Sequence, residues 1–193
     1  MTFSTIPDWT PNGLIPPINA LTPTSVDRSP YTVSLTDLII HFSTSPERIQ
    51  ILDGLLRYRE ALHKSGLICG FQWLDGSFLE NIESLEGRNP GDIDVVTYYH
   101  LPTGKSQFDL LQAQPATFDH GKVKAEYHVD SFFVQLSSAA PESLVERSAY
   151  WYSVWSHRRD GIWKGFLQID LAPNEDTVAM VNLNVGMVTG GTS

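Results

Sequence analysis

"GFQWLDGSF" (residues 70–78) and "GDIDVV" (residues 91–96) decide how this chain is read. The first belongs to an apolar run, "LICGFQWL" (67–74), that reads as a buried strand ending at Asp75-Gly76-Ser77. Gly76 permits a tight turn. Ser77 then opens a short helix, "SFLENIESL", whose free backbone N–H groups and hydroxyl suit an anion. The second stretch starts a strand, "DIDVVTYYH", rich in β-branched and aromatic residues. Side chains alternate along a strand, so Asp92 and Asp94 share a face, roughly 7 Å apart, while Ile93 and Val95 take the other. Two carboxylates side by side repel unless a proton or a cation relieves them. The natural partner is a hard divalent cation, Mg²⁺ (or Mn²⁺).

A third strand repeats the pattern. "YHVDSFFVQL" (127–136) places Asp130 among β-formers, where aspartate is disfavoured. Paired beside the Asp92–Asp94 strand, it completes a three-carboxylate cluster. Such a cluster can hold two ions about 4 Å apart, suited to in-line phosphoryl displacement. His128 falls on the same strand face and is a candidate support for Asp130.

The surrounding elements fit a layered α/β (α+β) fold, a small mixed sheet flanked by helices. Residues 1–31 carry six prolines and read as an extended arm packed through Trp9, Leu14, Ile15 and Ile18. Ser34 caps a short helix. Ser45 and Pro46 start a longer one, with Leu52, Leu55, Leu56 and Leu62 on one face and Gly66 as its stop. Residues 101–126 read as loop plus helix, broken at Pro115. Pro141 begins a helix to about Trp155, "IWKGFLQIDL" reads as a fourth strand or a hairpin element and "NEDTVAMVNLNV" as a final helix. The expected division is the arm, then one domain over 32–193 with a core at 46–136 and a C-terminal extension at 137–193.

The order helix, strand, Gly-Ser, helix, Asp-x-Asp strand, later Asp strand resembles the nucleotidyltransferase fold of the DNA polymerase β superfamily. The resemblance covers about residues 46–136. It implies that Gly76 and Ser77 bind a nucleoside triphosphate, that Asp92 and Asp94 bind Mg²⁺, and that Asp130 joins them and helps activate an acceptor hydroxyl. The whole chain, including "RSPY", "GFQWLDGSF" and "HRRD", is also similar to an uncharacterised bacterial nucleotidyltransferase-like family. By resemblance, the reaction moves an NMP from an NTP to a hydroxyl of a protein, an RNA or a small molecule. Small proteins of this fold often act in toxin–antitoxin or phage-defence loci. The alternative is a non-catalytic nucleotide-binding or protein-interaction module on the same fold.

Other features carry two readings. Arg158 and Arg159 of "SHRRD", with Lys164, either complement a helix C-terminus or reach the triphosphate; all three are nucleotide-binding candidates. Glu80 stands at capping-box distance from Ser77. Tyr150, Trp151, Tyr152 and Trp155 read as core, and Cys69 as a buried thiol. The net charge of -9 excludes a general basic footprint for nucleic acid, DNA included, while leaving room for a local basic patch, a nucleotide held through metal ions or a protein partner. No stretch has the roughly 20 apolar residues of a membrane span, and the start lacks a secretory pattern. A reducing cytoplasm is the expected compartment.

Overall fold

The computed structural model describes residues 3–137 and 139–190. Residues 1, 2, 138 and 191–193, which the expected arm and C-terminal extension include, lie outside the described residues.

Five strands form one mixed sheet: β1 (Tyr31–Thr32), β2 (Gly70–Asp75), β3 (Ile93–Tyr99), β4 (Val129–Gln135) and β5 (Leu167–Asp170). Their spatial order is β1-β5-β2-β3-β4. The β1–β5 and β3–β4 pairs are parallel; β2 runs antiparallel to both neighbours. Among the described residues, seven helices accompany them: α1 (Leu35–Phe42), α2 (Pro46–Lys64), α3 (Ile82–Glu86), α4 (Gln107–Ala113), α5 (His120–Tyr127), α6 (Pro141–Trp155) and α7 (Asp176–Gly190). The mixed α/β architecture is therefore as the sequence predicts. The expected loop and helix over 101–126 become α4 and α5, with a 3₁₀ turn at Pro115–Phe118 between them.

Ser45 caps α2 by accepting from the Arg48 backbone N–H, with Pro46 in the first turn. The α2 stripe contains Leu52, Leu55 and Leu62, and also two buried arginines, Arg48 and Arg59. Arg59 donates to Gln72 Oε1 at 2.6 Å, to the carbonyls of Asp170 and Ala172, and to both carboxylate oxygens of Asp176. Those bonds fasten β2, the end of β5 and the start of α7 to α2. A buried guanidinium needs that full set of acceptors to offset its desolvation.

The opposite face of the sheet is aromatic. Phe71 stacks on Tyr98 with centroids 4.6 Å apart, Trp73 packs on Phe166, and Phe132 packs on Trp151 of α6. Only Trp155 of the α6 aromatics is fully buried; Trp151 and Tyr152 are half-buried and Tyr150 is exposed. The reading of all four as core is corrected accordingly: α6 lies along the surface and turns one edge inward. Cys69 is also exposed, just before β2 begins, and so is no core thiol. No described helix is long and apolar enough to cross a membrane.

Candidate functional site: an acidic row beside a glycine-serine turn

Strand register brings the acidic residues together. Asp75 at the end of β2 pairs with Asp94 of β3, and Asp94 pairs with Asp130 of β4. Paired residues on adjacent strands project from the same face, with strands about 4.8 Å apart. Three aspartates thus form one row across three strands, and Asp92, two residues before Asp94, joins that face. They line a cleft of about 770 Å³, together with Gly76, Ser77, Lys124, Arg158, Arg159 and Lys164. Every residue singled out from the sequence as catalytic, metal-binding or nucleotide-binding lines this one cleft.

The glycine-serine turn forms one wall. Gly76 has φ 91°, which L side chains rarely adopt. A Cβ there would also stand 2.5 Å from Asp94 Oδ2. The turn can approach the carboxylate this closely only because residue 76 is glycine. Ser77 opens a 3₁₀ turn over Ser77–Leu79 instead of the expected helix, and α3 follows separately. Glu80 does not close a capping box. Its carboxylate turns to Lys164 Nζ at 2.9 Å and Arg158 Nη1 at 3.1 Å.

Buried Arg48 holds this turn from behind. It donates to the carbonyls of Phe78 at 2.6 Å and Glu80 at 2.7 Å, and pairs twice with the Glu83 carboxylate. The N-terminal segment reinforces it: Trp9 Nε1 donates to the Leu79 carbonyl at 2.7 Å, and Asn81 N–H donates to the Gly13 carbonyl. This segment therefore packs behind the turn, and none of its described residues lines the cleft.

Burial shapes the electrostatics of Asp94 and Asp75. Burial, and then the nearby charges of Asp92 and Asp130, push Asp94 up to about 6. No hydrogen bond or ion pair holds the Asp94 carboxylate among the described residues. Burial pushes Asp75 up to about 7 against the opposing pull of Lys164. Burial works against the charge of Lys164, but Asp75 and Glu80 outweigh it and raise its pKa. Lys164 Nζ lies 2.9 Å from Asp75 Oδ1 and is nearly inaccessible, with a side chain 7% exposed. The contact is an ion pair without hydrogen-bond alignment, since Asp75 Oδ1 has no hydrogen-bond partner.

The three candidate phosphate cations thus differ. Lys164 is spent on Asp75 and Glu80, and Arg158 on Glu80, Glu86 and Asp160. Arg159 is exposed and makes no ion pair among the described residues. His128, the expected support for Asp130, instead ends α5 with a left-handed backbone and faces Gln50 of α2. His120 takes the place next to Asp130, with Nε2 3.2 Å from Oδ1.

Asp92 and Asp130 share one further partner. Lys124 Nζ of α5 lies 2.7 Å from Asp92 Oδ2 and 2.8 Å from Asp130 Oδ2. Among the described residues, no group of three or more His, Cys, Asp or Glu side chains is placed as a metal cage. The donor set nevertheless suits a hard divalent cation: carboxylate oxygens on one face, one of them unpartnered, and an ammonium standing between two others. Lys124 marks a point in the cleft where positive charge is stabilised.

Sequence reasoning passed over Asp75, Lys124 and Arg48. Asp75 reads as a turn residue, and nothing local to Lys124 announces its partners. Arg48 did leave a signal, because it falls in phase with Leu52, Leu55 and Leu62 on the apolar stripe of α2.

The pattern of a family of unknown function, DUF6932, matches residues 7–170, and the chain belongs to that family. No curated protein and no solved structure matches the chain.

Proposed function

We propose that this DUF6932 chain is a nucleotidyltransferase, moving an NMP from an NTP to a hydroxyl of a protein, an RNA or a small molecule. The observation that carries this reading is the in-register row Asp75–Asp94–Asp130, with Asp92 beside it, facing the glycine-serine turn across one cleft.

Each part has work suited to its chemistry. Ser77 is half-buried at the wall, and its hydroxyl and the turn's backbone N–H groups would bind phosphate oxygens. Arg159, free of acidic partners, would meet the outer phosphates. Asp92, Asp94 and Asp130 would hold Mg²⁺ or Mn²⁺. When bound, the cation would supply charge neutralisation for both the carboxylates and the triphosphate. Asp130 would accept the proton of the acceptor hydroxyl as its oxygen bonds to the α-phosphorus. The bond from that phosphorus to the bridging oxygen breaks, and pyrophosphate leaves with the electron pair.

A second reading is favoured by one observation. Lys124 already bridges Asp92 and Asp130, an arrangement that also suits a nucleotide-binding module without catalysis. Label transfer separates the two. The protein is incubated with Mg²⁺, each α-labelled NTP and cell extract, beside Asp92→Asn and Asp94→Asn. Transfer lost in both variants supports the enzyme, whereas transfer surviving both substitutions would rule it out. Nucleotide binding without transfer to any acceptor supports the binding module.

A further inference from the structure

We propose that Lys124 is an exchangeable counter-ion of the cleft, occupying the position between Asp92 and Asp130 that a divalent cation takes, so that the two exclude one another. The inference rests on the nucleotidyltransferase reading and adds a residue to it that controls entry of the metal.

Both Lys124 contacts have the length of charge-assisted hydrogen bonds, 2.7 and 2.8 Å, and both reach Oδ2 atoms. A magnesium ion would draw carboxylate oxygens to about 2.0–2.1 Å. One pair of oxygens cannot serve an ammonium and a divalent ion at the same point. Repulsion between the +1 ammonium and a +2 ion in so small a space adds to the steric conflict.

Lys124 is also built to leave. Its side chain is 46% exposed, unlike that of Lys164 at 7%. A lysine head on a flexible four-carbon stem can swing into solvent without disturbing its helix. The helix itself stays in place: Asp119 caps α5 through the Lys122 backbone N–H, and Val123 is fully buried. Lys124 therefore begins from a fixed base beside the acidic row. Without a divalent cation it relieves the repulsion between Asp92 and Asp130, and with one it is released. Lys164, walled in by Asp75 and Glu80, has no such freedom.

Two measurements test this. Mn²⁺ affinity is measured by titration calorimetry for the wild type, Lys124→Met and Lys124→Arg. Removing the competing charge is expected to tighten Mn²⁺ binding about tenfold or more in Lys124→Met, and to leave Lys124→Arg close to wild type. In the wild type, acylation of lysine amines is followed by mass spectrometry with and without Mn²⁺. Mn²⁺ is expected to increase labelling of Lys124 while leaving exposed Lys64 unchanged. This second readout stands alone if Lys124→Met does not fold. Equal or weaker Mn²⁺ binding by Lys124→Met, or Lys124 labelling indifferent to bound Mn²⁺, overturns the exchange and leaves the proposed function standing. If no protein binds Mn²⁺ at millimolar concentration, both the exchange and the metal-dependent reading fall.

Discussion

Replacing Asp94 by asparagine is expected to make the protein more stable at neutral pH, although the residue lies at the centre of the site. Among the described residues the Asp94 carboxylate has no hydrogen-bond or ion-pair partner; burial first, and then the charges of Asp92 and Asp130, raise its pKa from 3.8 to about 6. A carboxyl group whose pKa is raised by folding opposes folding wherever it must be ionised. The penalty is absent below pH 3.8, grows between 3.8 and about 6, and is complete above that. At about 1.4 kcal/mol for each pH unit between the two values, it reaches about 3 kcal/mol at pH 7.5. Asparagine keeps the shape without the charge. For a chain of this length, 1 kcal/mol moves Tm by about 2–4 °C, so the upper limit of the gain is about 6–12 °C. Thermal unfolding of both proteins from pH 4 to pH 8, in chelator, measures it. The gain should be largest above pH 6 and close to zero at pH 4. Lower stability of Asp94→Asn at pH 7.5, or a gain that does not change with pH, would refute the electrostatic reasoning.

Three further outcomes follow from the same structure. Arg48→Met strands the Glu83 carboxylate and the carbonyls of Phe78 and Glu80 behind the turn, and should cost about 3–5 kcal/mol in urea unfolding. Arg48→Lys should recover only part of that, since an ammonium cannot make the paired fork. Gly76→Ala forces a Cβ against Asp94 Oδ2 at a positive φ; it should lower Tm and weaken nucleotide binding together, read by thermal unfolding and equilibrium dialysis. His63 is held below its ordinary pKa of 6.5 by burial while its Nε2 lies 2.8 Å from the Leu171 carbonyl. Its neutral form is the one the fold favours, so stability is lost as pH falls below 6.5, and His63→Gln should flatten that part of the pH–stability curve.

Much of the site was legible because its information is local. Period-two alternation places Asp92 and Asp94 on one face, and the β-formers around Asp130 mark its strand. Pairing of these strands then decides the rest. The sequence also marks the α2 start, because Ser45 and Pro46 are direct capping signals. What escaped depends on partners far away in the chain. Asp75 is a common turn residue until β2 pairs with β3, and its counter-charge, Lys164, arrives from beyond α6. Lys124 lies on a helix with no apolar stripe to orient it. Composition misled at α6 and at Cys69: the α6 aromatics suggested core, yet the helix has a single inward edge, and the thiol is exposed. The two α2 arginines show the reverse: their phase with the leucines is a local signal of burial that sequence reasoning passed over, and only the structure supplied their acceptors.

If the acidic row and the glycine-serine turn bind one ligand between them, a crystal structure with Mn²⁺ and a non-hydrolysable NTP analogue should show an anomalous manganese peak at Asp92 and Asp94, phosphate oxygens at Ser77, and Lys124 displaced from Asp92. An analogue bound outside the cleft, or bound within it with Lys124 still bridging Asp92 and Asp130 and no manganese beside them, would contradict that joint binding.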